Sequence, residues 1–145
     1  MKTFRQIYLH RLPYYLPIVI IFFVVSFNAT AQTNDTIKTF TGWWNNARED
    51  LMFTLDLLQV GDSIKGYHCG ITRNANRIDC SQEGEVYGFT ITGTVDGNVA
   101  YVNFKSTYSN ATGEAIITRY KDFIHWKIVS NTEGEFYLPM DEILK

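Results

Sequence analysis

The residues best suited to chemistry lie in one short stretch, YHCGITRNANRIDC, which runs from Tyr67 to Cys80. It holds both cysteines of the chain, Cys69 and Cys80, with His68 directly before the first of them. A thiol near an imidazole is the arrangement of a nucleophilic pair, and cysteines with a histidine also bind zinc. In an oxidising compartment the same two cysteines form a disulfide instead. The choice among these depends on the compartment.

The first 31 residues have the three parts of a secretory signal peptide. Three basic residues precede an apolar run at residues 16–27, and Ala29-Thr30-Ala31 supplies the small side chains that a signal peptidase reads. The apolar run is shorter than the roughly 20 residues that a transmembrane helix needs. We therefore predict cleavage after Ala31, a secreted or periplasmic location, and no membrane span in the mature chain.

The predicted mature domain, residues 32–145, is acidic. The whole chain has 13 basic and 15 acidic side chains, and the signal segment holds three of the basic ones and none of the acidic ones. The mature chain therefore keeps 10 basic and 15 acidic groups, a net charge of about −5. This charge argues against nucleic acid and anionic membranes as partners, and the length suits a single domain.

Export favours a disulfide between Cys69 and Cys80 over either reactive alternative. Neighbours on a strand point to opposite faces, so the Cys69 thiol and the His68 imidazole would diverge. The spacing of the cysteines and histidines does not match that of structural zinc sites. The chain also has no Gly-x-Ser-x-Gly motif, no phosphate-binding glycine loop and no distinctive carboxylate pair. We expect neither an enzyme nor a cofactor.

The rest of the chain alternates apolar and polar residues with a period of two, which is typical of strands. About eight hairpin-connected strands predict an all-β, up-and-down antiparallel barrel, whose closure would remove exposed edges. A helical turn is expected in the tail from Met140 to Lys145. The expected strands are Lys38–Trp44, Leu51–Val60, Ile64–Cys69, Tyr87–Val95, Val99–Ser106, Glu114–Tyr120, Phe123–Val129 and Glu135–Leu138.

Several segments resemble small secreted bacterial proteins with lipocalin-like (calycin-like) barrels. The features are Gly42-x-Trp44 on the first strand, and an apolar strand followed by Gln59-x-Gly61-Asp62 and a strand that contains Gly66-Tyr67. The resemblance implies a barrel whose lumen or rim binds something, and it carries over no catalytic residue. In such barrels a basic residue packs on the tryptophan, and Lys127 is the candidate for that residue here.

The tryptophans are the first candidate binding residues. Alternation places one of Trp43 and Trp44 inward and the other outward, and places Trp126 in the core. Core packing explains an inward tryptophan, while an aromatic wall at the barrel mouth would serve a ligand. The predicted inner-face residues that would surround an apolar ligand are Phe53, Leu55, Phe89, Ile91, Phe104 and Trp126.

The loop between the cysteines is the second candidate. Arg73, Asn74, Asn76 and Arg77 lie at its tip. Asparagine suits tight turns, so the loop has a structural explanation, but arginine also grips carboxylates and stacks on rings. We expect a non-catalytic binding protein for a small apolar molecule in or at the mouth of the barrel. The alternative is a module of the inhibitor or immunity type that binds a periplasmic or extracellular protein through this loop.

Overall fold

The structure is a computed structural model that describes residues 39–48, 50–72, 75–130 and 133–145. The predicted signal peptide and its cleavage site lie outside these residues. The described part is all β, and none of its elements is a helix long and apolar enough to cross a membrane. Its nine strands are β1 Gly42–Ala47, β2 Leu51–Val60, β3 Ser63–Thr72, β4 Arg77–Cys80, β5 Ile91–Asp96, β6 Val99–Lys105, β7 Thr112–Arg119, β8 Ile124–Ile128 and β9 Asp141–Leu144.

Eight of the strands form a nearly closed antiparallel barrel, as the sequence predicted. The order is β1-β2-β3-β5-β6-β7-β8-β9, and every neighbouring pair is antiparallel. The first and last strands meet through two reciprocal backbone hydrogen bonds between Asn45 and Lys145, at 3.0 and 2.9 Å. The short strand β4 lies off this path and pairs with β3 alone.

Alternation along the strands separates an apolar interior from a polar exterior. On β2 the side chains of Phe53, Leu55 and Leu57 are buried, while Asp56 between them is exposed. The largest interior side chain is Trp126, whose ring centroid lies 5.5 Å from that of Phe53. Its indole N–H donates a 2.8 Å hydrogen bond to the carbonyl oxygen of Pro139. Trp126 is therefore a fully satisfied core residue.

Three of the expected strands are misplaced. The first is β1, Gly42–Ala47, and not Lys38–Trp44. Phe89 is exposed rather than inward, and Thr90 is buried, because the strand begins only at Ile91 and the residues before it leave the sheet. The final strand is not residues 135–138. It is β9, within the tail where a helical turn was expected, because Glu142 and Leu144 alternate with exposed Asp141 and Ile143 and pair with β8.

Glycines allow neighbouring strands to approach closely at two places in the barrel. Gly93 on β5 faces Val102 of β6, and a Cβ built on Gly93 would collide with the carbonyl oxygen of Tyr101. A Cβ built on Gly66 of β3 would likewise collide with the carbonyl oxygen of Asp56 on β2. Glycine inside a strand commonly marks such a backbone approach.

We predict that Gly93→Ala lowers the free energy of unfolding by about 1–3 kcal/mol, the range for overpacked positions. Thermal or urea unfolding monitored by tryptophan fluorescence measures it. Thr92→Ala is the matched control, because its side chain is exposed on the same strand, and we expect it to stay within about 0.5 kcal/mol of the parent. Equal stability of the two variants would contradict the close approach.

Candidate functional site

The outer wall of the barrel carries a cleft of about 330 Å³ across β1, β2 and β3. Its base is formed by outward-facing residues of these strands, among them Trp43, Met52 and Tyr67. The Cys69–Cys80 disulfide borders it. A volume of this size is at the lower end of the range for small-molecule sites, roughly 300–1,000 Å³.

A second cleft of about 300 Å³ adjoins the first. Both clefts are lined by Trp43, Asp56 and Tyr67, and the second extends toward Glu83 and Phe89. We call the two adjoining clefts the Trp43 groove. Trp43 is 64% exposed within it, although a tryptophan side chain gains most from burial.

The register of β1 explains why Trp43 faces the groove and Trp44 does not. Trp43 pairs with exposed Asp56 and Trp44 with buried Leu55. The Trp44 indole N–H donates a 2.9 Å hydrogen bond to the carbonyl oxygen of Phe40. The guanidinium of Arg119 lies 4.4 Å from the centroid of the Trp44 ring. The sequence therefore correctly predicted opposite orientations for the two tryptophans.

The basic residue on Trp44 is Arg119, so the choice of Lys127 was wrong. Lys127 is exposed on the outer face of β8, whereas Arg119 is buried on β7 and donates to the carbonyl oxygens of Tyr120 and Phe123. Burial lowers the pKa of Arg119, and the nearby charge of Asp122 opposes this. A guanidinium stays charged in proteins, so the ring face and the carbonyls stabilise a cation there.

One wall of the Trp43 groove comes from an excursion of the chain between β4 and β5. The C-terminal half of β3 pairs with β4, and its N-terminal half pairs with β5. Between them the chain leaves the sheet at Ser81, whose N–H donates to the carbonyl of His68 at 2.9 Å, and returns at Thr90, whose N–H donates to the carbonyl of Gly66 at 3.0 Å. The excursion, residues 81–90, includes Glu83, Glu85 and Phe89.

Phe89 contributes to the groove because it is outside the sheet. Its ring centroid lies 5.1 Å from that of Tyr67. The ammonium nitrogen of Lys65 lies 4.4 Å from the centroid of the same Phe89 ring. This is a cation–π contact, which the negative face of an aromatic ring favours.

The position of the excursion depends on a buried carboxylate, Asp79, on β4. Asp79 is fully buried and lies 3.1 Å from Nε2 of His68. The Ser106 hydroxyl donates to it at 2.6 Å, the Thr107 backbone N–H at 2.7 Å and the Tyr137 N–H at 3.2 Å. The carboxylate thus joins β3, β4, the loop after β6 and the segment before β9.

Burial on its own would raise the pKa of Asp79, since it disfavours the charged form. The hydrogen bonds from His68, Ser106 and Thr107 outweigh that effect and hold the pKa well below its usual range. Asp79 is therefore ionised at neutral pH. A charged group with this many donors stabilises the fold only while all of them are in place.

The cluster of His68, Asp79 and Ser106 contains the residue types of a catalytic triad but not its geometry. The Ser106 hydroxyl bonds the carboxylate and not the imidazole, whereas a triad requires the base next to the nucleophile. All three side chains are almost completely buried. The arrangement serves to hold segments together rather than to generate a nucleophile.

Two buried polar atoms beside the groove make no hydrogen bond within the described residues. They are Nδ1 of His68 and the hydroxyl oxygen of Ser81. His68 is 1% exposed and Ser81 6% exposed, and both residues line the first cleft. Buried polar atoms in native proteins nearly always have partners. The His68 imidazole faces the barrel interior with Asp79, so the Ser81 hydroxyl is the atom that marks where a molecule in the cleft would add a hydrogen bond.

The remaining predicted site residues fall into different places. Cys69 and Cys80 form the predicted disulfide, at directly opposite positions of β3 and β4. Asn76 lies in an exposed turn. Arg77 donates to the Tyr137 hydroxyl and lies 3.9 Å from a Glu135 carboxylate oxygen.

Arg73 and Asn74 lie outside the described residues, so the predicted Arg/Asn loop stays a prediction. The first cleft is also lined by residues that the sequence analysis did not name, namely Asp56, Tyr67, Ser81 and Glu85. The signal for Asp56 and Tyr67 is present in the alternation of their strands. Ser81 and Glu85 lie in an excursion without periodicity, so no pattern pointed to them. The described part of the chain has no group of three metal-ligating side chains.

Comparison with known proteins returned no relative. No family description matches the chain, and neither the curated proteins nor the solved structures include a significant match.

We predict that Asp79→Asn lowers the free energy of unfolding at neutral pH by about 3 kcal/mol, as expected when a buried charge network loses its acceptor. The folded-state pKa lies below the ordinary value, so the stabilisation is present above roughly pH 4. It is lost as the pH falls below that value, and the variant should lack this acid-dependent loss. Urea unfolding at several pH values measures both effects.

Asp96→Asn is the control for this experiment, because Asp96 is exposed at the end of β5. We expect it to keep the acid dependence of the parent. An Asp79→Asn protein with the same stability and the same acid dependence as the parent would contradict the role given to the buried carboxylate.

Proposed function

We propose that this chain is an exported, non-catalytic binding protein that takes a small apolar or aromatic molecule in the Trp43 groove. The observation that carries the proposal is the 64% exposure of Trp43 in a concave surface beside Tyr67, Met52 and a disulfide. Isolated exposed apolar residues are ordinary, but a concave apolar surface with a few polar groups is the usual form of a ligand site.

The packing of the barrel favours the outer wall over the interior as the place of binding. Phe53, Phe104 and Trp126 are each at most 1% exposed, and both phenylalanine rings contact Trp126 in the interior. A ligand among them would have to displace close-packed side chains, which costs free energy. A ligand in the Trp43 groove would cover surface that is already exposed.

The disulfide and the predicted signal peptide support a periplasmic or secreted location. Cys69 and Cys80 are bonded to each other, and such bonds persist mainly in oxidising compartments. A lipocalin-like relationship is part of the proposal, and it is supported by the barrel topology and by the packing of Arg119 on Trp44 of the Gly42-x-Trp44 motif.

The alternative is a protein-binding module that uses the loop between the cysteines. Of its arginines, Arg77 already contacts Tyr137 and Glu135 within the chain. The Arg77 guanidinium would have to give up its contacts with Tyr137 and Glu135 before it could bind a partner protein. This favours the Trp43 groove as the binding surface.

We predict that the mature protein binds N-phenyl-1-naphthylamine, a neutral apolar dye whose fluorescence rises in apolar surroundings. Trp43→Ala should weaken the binding about tenfold, since an aromatic contact surface of this kind commonly contributes at least 1.4 kcal/mol. Fluorescence titration gives the dissociation constants.

Tyr101→Ala is the matched control. Tyr101 is 53% exposed on β6 and lines a different cleft, across β5, β6 and β7. It should leave dye binding unchanged. Absence of dye binding, or equal losses in the two variants, would overturn the proposal that the Trp43 groove is a ligand site.

A further inference from the structure

We propose that the ligand of the Trp43 groove is an organic cation, a quaternary ammonium compound that also carries a hydroxyl group. This inference rests on the proposed function and names the chemical class of the ligand. Three features of the groove support it: the signs of its charges, its exposed aromatic rings and the buried hydroxyl of Ser81.

The charged side chains that line the groove are all acidic. Asp56 lines both clefts, Glu85 the first and Glu83 the second. None of the described residues that line either cleft is a lysine or an arginine. A concave surface with one sign of charge concentrates ligands of the opposite sign. The predicted net charge of the mature chain acts in the same direction.

Carboxylates on an exposed surface do not by themselves make a site, but here they surround aromatic rings. Tryptophan has the strongest attraction for a cation placed over its face, and quaternary ammonium groups are well suited to such surfaces because they are weakly hydrated. The ring of Phe89 already has the Lys65 ammonium nitrogen 4.4 Å from its centroid. Trp43, 64% exposed, is more exposed than Phe89 in the groove.

The buried Ser81 hydroxyl is the independent observation that points to a ligand. Ser81 lines the first cleft, is 6% exposed, and its hydroxyl has no hydrogen-bond partner within the described residues. The His68 imidazole faces the barrel interior, where its Nε2 atom contacts Asp79, so it is not part of this site. A ligand hydroxyl can both donate and accept, and therefore suits the Ser81 hydroxyl in either role.

These features together describe a molecule with a methylated ammonium group near Trp43 and the acidic residues, and a hydroxyl near Ser81. An uncharged apolar molecule would contact the ring of Trp43 but would not pair with the carboxylates. An anion would be repelled by Asp56, Glu83 and Glu85. The structure therefore predicts a preference by charge among ligands of the same shape.

Choline and its analogues test this preference, because they differ in charge but not in size. In 3,3-dimethyl-1-butanol a carbon replaces the nitrogen of choline, and 3,3-dimethylbutyrate presents the same apolar group with a negative charge. NMR titration of the mature protein gives each dissociation constant. We expect choline to bind about tenfold more tightly than the neutral alcohol, as cation–π and carboxylate contacts together imply, and the anion to bind most weakly.

Variants identify the groups responsible. The double variant Asp56→Asn with Glu85→Gln should remove most of the difference in affinity between choline and the neutral alcohol. The affinity for the neutral alcohol should stay unchanged. Glu114→Gln is the matched control, since Glu114 is exposed on β7 and lines the other cleft. Ser81→Ala should weaken the binding of choline but not that of ethyltrimethylammonium, which lacks the hydroxyl.

Equal affinities of choline and the neutral alcohol, or tighter binding of the anion, would overturn the inference. If N-phenyl-1-naphthylamine binds in the groove while choline shows no advantage, the inference fails and the proposed function stands. If neither the dye nor any of the three analogues binds, both fail. An advantage of choline that survives the double acidic variant would also count against the assignment of Asp56 and Glu85.

Discussion

The ionised carboxylate of Asp79 is the interaction on which the rest of the structure depends. It accepts hydrogen bonds from a strand side chain, from the loop after β6 and from the backbone before β9. A buried charge is costly unless it is fully bonded, so these segments are held in one arrangement. With β4 fixed in this way, the chain must leave the sheet at Ser81, and residues 81–90 form a wall of the Trp43 groove.

The disulfide and the carboxylate act on opposite faces of the same strand. On β4 the Asp79 side chain faces inward, while the next residue, Cys80, faces outward and is bonded to Cys69 of β3. The inner face is thus fixed by hydrogen bonds and the outer face by a covalent bond. A similar division applies to β1, where Trp44 is held inside by Arg119 and Phe40, and Trp43 is left on the outside. In each pair of neighbours, one side chain is held in the interior and the other lies on the outer face.

The period-two alternation predicted the fold well, because most strands have one buried and one exposed face. The bounds of β2, the hairpin between β5 and β6, and the disulfide pairing are all as expected. The pattern failed at Phe89, because residues 81–90 obey no strand periodicity, and at β9, where four residues are too few to distinguish a strand from a helical turn. The role of Asp79 could not be predicted, since its partners Ser106 and Tyr137 lie 27 and 58 positions away in the sequence.

We propose that a ligand binds on the outer wall and not inside the barrel, and an NMR titration of the isotopically labelled mature protein with choline distinguishes the two places. Binding in the Trp43 groove predicts chemical shift changes at the Trp43 indole N–H and at the amides of Tyr67, Ser81 and Glu85. It also predicts that the Trp126 indole N–H, which is bonded to Pro139 in the core, does not shift. Changes confined to Trp126 and the amides of other interior residues would contradict the account and would place the ligand within the barrel.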